Sequence, residues 1–156
     1  MKVRIASIQY QLRHIDDWDG FVRQVDFVLN AAADYCPQFV LLPELFTTQL
    51  LSFMDNDDVP SAVRGLSEYT TSYIELLRTH AVRHSYYLVG GTHPNLREGK
   101  LLNTAFLFTP GGQVHRQEGD VKADEREPEG PLPEPVGKLF AVEKRKEVVT
   151  PGKNWK

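Results

Sequence analysis

The chain has 156 residues, 41% of them hydrophobic and 25% charged, with a formal net charge of -3. That describes one globular domain with a substantial core, and it gives no reason to expect a nucleic-acid or membrane-surface partner. No apolar run approaches the roughly 20 residues that span a bilayer, and the single cysteine, Cys36, excludes an intrachain disulfide, which fits a reducing cytoplasm.

The N-terminus enters an alternating pattern at once, without the long apolar core of a signal peptide. Val3, Ile5, Ser7 and Gln9 alternate with Arg4, Ala6, Ile8 and Tyr10. Both sets are largely apolar, which predicts a strand covered on both faces. Asp16 or Asp17 offers an N-cap. Phe21, Val25, Val28, Leu29 and Ala32 then form one stripe of an amphipathic helix running to about Tyr35. Pro37 ends it. Phe39 to Leu42 is a short buried strand closed by Pro43 and Glu44. The order β-α-β favours a layered α/β fold.

Residues 49 to 64 read as an irregular excursion, with Asp55-Asn56-Asp57-Asp58 and Pro60 as loop chemistry. A second helix starts near Ser67, with Tyr69, Tyr73, Leu76, Leu77 and Ala81 inward. Tyr86 to Val89 is a strand that Gly90-Gly91 closes. A turn from Pro94-Asn95 to Gly99 leads to a strand over Leu101 to Phe108, and Pro110-Gly111-Gly112 turns into a hairpin partner at 113 to 117. The sheet is mixed, with helices on one face. Beyond Gln117 the character changes. Half of the ten prolines fall there, and acids and bases alternate from Glu118 to Glu129. This predicts a divergent tail, residues 118 to 156, poorly ordered apart from one strand at 138 to 142.

Glu44 stands just past the carboxyl end of a strand, where open α/β sheets place their chemistry. On the residues alone, the plainer reading is a strand-end cap or the partner of a basic side chain. His80 and His84 stand four apart on the second helix and could share a metal. They lack a glutamate after the first histidine and a third ligand, so a surface or interface role fits better. Gly90-Gly91 lacks the Gly-Lys-Ser/Thr ending of a phosphate loop. Its expected job is to let backbones approach closely. No cofactor or metal is expected.

Four blocks, however, occur together in order: Ala6-Ser7-Ile8-Gln9, Leu41-Leu42-Pro43-Glu44-Leu45-Phe46, Val89-Gly90-Gly91-Thr92, and Asn103-Thr104-Ala105 with Pro110-Gly111-Gly112. Over residues 1 to 117 the chain resembles the N-terminal half of the nitrilase, or carbon–nitrogen hydrolase, superfamily. The resemblance implies part of an α-β-β-α sandwich that pairs through its helices into dimers. It also implies a Glu-Lys-Cys set that hydrolyses amides or nitriles through a covalent intermediate. Glu44 matches the general base. Such a glutamate needs a raised pKa, for which Leu42, Leu45 and Phe46 could supply the apolar setting. The oxyanion-stabilising lysine belongs shortly after residue 117. Glu118-Gly119-Asp120-Val121-Lys122 stands there instead, and Lys122 is the nearest candidate, but its surroundings do not match the motif and the acid-rich context favours a solvated surface lysine.

The nucleophile is missing. No cysteine follows Cys36, which precedes the glutamate strand and reads as a small buried apolar residue. After residue 122 there is no serine, and Thr150 is the one hydroxyl side chain. The carboxyl-terminal half that the resemblance implies is also absent, and the tail looks like a frameshifted or truncated reading frame. The expectation is a carbon–nitrogen hydrolase acting on a small amide or nitrile, left catalytically incomplete. The alternative is a non-catalytic module that forms a homodimer or pairs with an intact homologue.

Overall fold

The computed structural model describes residues 2–54 and 58–119. Five strands form one sheet in sequence order, β1 (Ile5–Ser7), β2 (Phe39–Leu41), β3 (Tyr87–Arg97), β4 (Lys100–Phe108) and β5 (Val114–Gly119). β1, β2 and β3 are parallel neighbours, while β3–β4 and β4–β5 are antiparallel. The sheet is therefore mixed, as expected.

The first crossover is α1 (Trp18–Ala33). Asp17 is its N-cap, accepting the Gly20 backbone N–H at 2.7 Å. Phe21, Val25 and Leu29 are fully buried, as the stripe predicts. The second crossover begins with a 3-10 helix over Phe46–Ser52. It continues through α2 (Val59–Gly65), a further 3-10 turn (Leu66–Tyr69) and α3 (Thr70–His84). The stretch 49 to 64 is thus far more regular than the excursion expected from it. Phe46 and Leu50 lie four apart and sink into the core, and the Asp58 carboxylate caps α2 by accepting the Ser61 N–H at 2.8 Å. On α3, Tyr73, Leu77 and Ala81 are buried against the sheet, and His80 joins them at 1% exposure.

β3 does not stop at Gly90-Gly91. The pairing with β4 shifts register between Val89 and Thr92, so the two glycines form a bulge inside one long strand. The strand then runs through Pro94, which is tolerated because β2 pairs with β3 only as far as Val89. The hairpin turn falls at Glu98 (φ 51°) and Gly99 (φ 79°), the positive-φ pair that a two-residue turn requires. β5 runs to Gly119, two residues past the expected boundary at 117. The expected strand at 138–142, and the tail from residue 120 on, lie outside the described residues.

The sheet's two faces differ. Val40, Leu88, Phe106 and Phe108 point toward α1 and α3 and are at most 1% exposed. On the opposite face the registers align Ile5–Phe39–Tyr87 in one row and Ser7–Leu41–Val89–Leu107–His115 in the next. No residue of these two rows carries a formal charge. Ile5 is 64% and Tyr87 40% exposed. β1 is accordingly bare on one side, not covered on both. Its apolar alternation was real, but among the described residues only one layer of helices is present to bury it.

Candidate active site

Glu44 follows β2 at the carboxyl end of the parallel strands. The turn that carries it is held to β3 at successive points. The Leu42 N–H donates to the Val89 carbonyl at 2.9 Å, and the Leu45 N–H to the Thr92 carbonyl at 3.2 Å. Leu45 adopts φ 52°, a left-handed conformation that a branched side chain takes up only when its surroundings impose it. Its own carbonyl accepts both the Thr48 N–H, at 2.9 Å, and the Thr48 hydroxyl, at 2.8 Å. Gly91 makes this approach possible. A Cβ there would lie 2.0 Å from the Pro43 oxygen, and its φ is 69°. The close-approach role expected of the glycine pair is met at this position.

Glu44 itself is exposed. The apolar enclosure expected around its carboxylate is not built by the neighbours named for it. Leu42 and Phe46 turn into the core, at 5% and 2% exposure, and Leu45 is half-buried. A side chain alternating out of a strand end leaves the core while its neighbours enter it.

Beneath the turn lies a buried polar cluster. His93, fully buried, has Nδ1 2.9 Å from Thr47 Oγ1 and Nε2 3.1 Å from Thr70 Oγ1. Its ring stacks on Tyr73 at 4.8 Å between centroids, and the Tyr73 hydroxyl donates to the Gly90 carbonyl at 2.6 Å. Burial pushes His93 down from 6.5 to about 4, against a hydrogen bond to the Leu66 backbone. Burial likewise pushes the Tyr73 phenol up. Gln49, 3% exposed, accepts the Tyr10 hydroxyl at 2.6 Å and donates to the Arg13 carbonyl and Gln24 Oε1, each at 2.8 Å. Next to the turn, Thr92 Oγ1 and Asn103 Oδ1 are buried without a hydrogen-bond partner.

None of Thr47, Gln49 or His93 was named from the sequence. Thr47 and Gln49 fall where polar residues read as solvated loop. His93 sits beyond glycines taken to end a strand, so nothing placed it inside.

The other candidates do not join Glu44. Cys36 lies ahead of the amino end of β2, and the strand alone puts roughly 10 Å between it and the Glu44 end. It is exposed, not buried as expected, because the α1–β2 connection turns there with φ 46°. Lys122 lies outside the described residues. His80 and His84 are engaged with α1. His80 Nε2 is 2.6 Å from Asp26 Oδ1, and His84 Nε2 is 3.0 Å from Asn30 Oδ1. Among the described residues, no group of three His, Cys, Asp or Glu side chains is placed to hold a metal. An open groove of about 560 Å³ is lined by α1 and α3 residues, including Trp18, Asp26, Leu76 and Arg83, and not by the Glu44 turn. No helix among the described residues is long and apolar enough to cross a membrane.

Comparison with known proteins gives a consistent set of relatives. The carbon-nitrogen hydrolase family model matches residues 4–141. A probable hydrolase of Bacillus subtilis (strain 168), YhcX, is 38% identical over 115 residues, which is 74% of this chain and 22% of that protein. The omega-amidase NIT2 of Pongo abelii is 30% identical over 115 residues, 71% of this chain and 37% of its own. Two solved structures share the fold at lower identity. Nit3 of Saccharomyces cerevisiae, a nitrilase-superfamily member, has a TM-score of 0.59 at 21% identity, over 74% of this chain and 43% of that one. A mutant amidase from Nesterenkonia sp. AN1, carrying acrylamide added at its active-site cysteine, has a TM-score of 0.57 at 23% identity, over 75% and 44%. This chain thus spans less than half the length of each of these four.

Proposed function

Because the chain belongs to the carbon–nitrogen hydrolase family, we propose that Glu44 is the general base of a site for hydrolysing a small amide or nitrile, and that this 156-residue chain holds that site in incomplete form. The observation that carries the reading is the Glu44 turn. A carboxylate projects to solvent from the carboxyl end of the parallel strands, on a backbone fixed by the bonds of Leu42 and Leu45 to β3. A fixed, accessible carboxylate can take a thiol proton and afterwards activate water. The thiol must come within hydrogen-bond reach, and Cys36, beyond the far end of β2, does not. The Nesterenkonia relative reacts at an active-site cysteine, and no cysteine follows Glu44 in this chain. Lys122 is the residue we assign to the oxyanion, by its position after β5.

The test is an amidase and nitrilase panel on the purified chain. We expect no turnover above the buffer blank. Turnover that Glu44→Gln abolishes overturns the incompleteness and keeps the base. Turnover that survives Glu44→Gln overturns both. Sequencing downstream of the coding region gives a second check, since an in-frame lysine motif and elbow cysteine there support a truncated origin.

The charge-free open face of the sheet favours a second reading, a non-catalytic module that pairs with an intact homologue or with another copy. Uncharged apolar surface of this kind marks contact sites. Sedimentation of the purified chain decides it. A monomer that melts cooperatively across micromolar concentrations rules out pairing with itself, and failure to co-purify with a co-expressed relative rules out the rest.

A further inference from the structure

The hydroxyl partners of His93 place its ring proton, while burial, acting against a hydrogen bond to the Leu66 backbone, keeps the ring neutral near pH 7. The Thr70 hydroxyl donates to the Ser67 carbonyl at 2.7 Å. Its single proton is thereby used, so toward His93 Nε2, 3.1 Å away, Thr70 Oγ1 acts as acceptor. Nε2 therefore carries the proton, and in a neutral ring Nδ1 is the acceptor. The donor to Nδ1 is the Thr47 hydroxyl, at 2.9 Å. The bonds run in one direction, from Thr47 through the imidazole to Thr70 and on to Ser67. Tyr73 from α3 covers one ring face, and its hydroxyl is committed to Gly90.

Thr47 lies three residues past Glu44, in the 3-10 helix that begins at Phe46. Leu45 between them is held left-handed, and its N–H is bonded to the carbonyl of Thr92, the residue before His93. The Glu44 turn is thus anchored to β3 three times, twice by the backbone of Leu42 and Leu45 and once by this side-chain pair. The backbone bonds hold the turn's start. The Thr47–His93 bond holds its far side, and among the described residues the Thr47 side chain makes no other hydrogen bond.

We propose that His93 is the positioning residue of the Glu44 site, a neutral imidazole protonated on Nε2 that holds Thr47, and through it the Glu44 turn, against β3. This rests on the reading of Glu44 as the site's base. It adds a residue that touches no substrate and acts by fixing where the carboxylate stands. Placement of that kind governs how well a base meets its proton, because a small misplacement costs rate steeply.

The test uses NMR on the whole 156-residue protein, and no substrate. Nitrogen-15 spectra of the His93 ring near pH 7 should show the Nε2–H tautomer. The Nδ1–H tautomer, or a charged ring, overturns the proposal. Amide exchange supplies the second readout. In Thr47→Val the Leu45 and Thr48 amides should exchange roughly fivefold to tenfold faster, the factor expected of one lost hydrogen bond, while the Val25 and Leu29 amides of α1 hold their rates. Thr47→Ser, which restores the hydroxyl, should recover the slow exchange. Unchanged rates at Leu45 and Thr48, or equal acceleration across α1, show that the bond does not hold the turn, and the proposal falls. Turnover that survives Glu44→Gln in the amidase panel would instead sink the reading of Glu44 as the base and leave this anchoring intact.

Discussion

The two faces of the sheet are made by the same strands, with the same alternation, and they end in opposite conditions. Val40 and Leu88 are fully buried beneath α1 and α3, while their strand neighbours Phe39 and Tyr87 stack on each other at 5.1 Å with Tyr87 40% exposed. The covered face has cross-chain polar anchors beside it, at His93, Gln49 and Asp26. The open face, in the rows from Ile5 to Tyr87 and from Ser7 to His115, is mostly apolar and carries no formal charge. Sequence period tells which residues share a face. Whether that face is covered depends on another layer, which the period of these strands does not encode.

Four measurements sharpen or break the contrast, beginning with the largest effect. Phe21→Ala removes a fully buried ring that packs on Trp18 and Phe46 at 5.2 and 5.7 Å. Urea denaturation should report a loss of about 3–5 kcal/mol, and a loss under about 1 kcal/mol would mean the helix layer is not tightly packed. Next comes acid. His93 is held near 4 when folded and returns to its ordinary 6.5 when unfolded. The unfolded chain therefore takes the proton first. Its contribution is complete above pH 6.5 and fades as pH falls toward 4, by about 3 kcal/mol at 1.36 kcal/mol per unit. Tyr73, the titratable group stacked on the ring, stays neutral throughout this range. In His93→Gln the stability profile between pH 6.5 and 4 should flatten. A slope identical to that of the parent chain would assign the acid sensitivity to other groups. Smaller again is Asp17→Ala, which removes the α1 cap and should cost about 1 kcal/mol without altering the shape of the acid profile.

Most of the covered face was legible in the sequence, because periodicity encodes it directly. The α1 stripe, the β2 strand and the inward Tyr73, Leu77 and Ala81 all follow from spacing. The position of Glu44 was legible for a different reason, since a proline and an acid stop an apolar run at a strand's carboxyl end, while its role as base is a proposal that rests on the family. What supports Glu44 was not. Thr47, Gln49 and His93 are polar residues buried by partners distant in the chain, and no local pattern distinguishes them from solvated ones. The bulge misled in a related way. Gly90-Gly91 reads as an ending, but backbone pairing with β4 carries the strand past it, and Gly91 serves the contact with Pro43. Cys36 was expected to be buried from its residue type, and a left-handed turn put it outside.

The smallest expected effect, at Val89, belongs to the most direct comparison. Val40 and Val89 lie on adjacent paired strands and point to opposite faces, Val40 fully buried and Val89 half-buried. Valine to threonine keeps the shape and exchanges a methyl for a hydroxyl. At position 40 the hydroxyl enters an apolar core without a partner, which costs about 1–3 kcal/mol. At position 89 it meets solvent beside Leu41 and Leu107, and the change should stay within about 0.5 kcal/mol. Urea denaturation of Val40→Thr and Val89→Thr at low micromolar concentration reads both. If Val89→Thr costs as much as Val40→Thr, the open face is buried in solution. Raising the protein concentration then separates the two ways that can happen. A cost that grows with concentration identifies a second copy as the cover, since mass action couples stability to association. A cost that stays constant places the cover within the chain itself, and the pairing reading would lose its support.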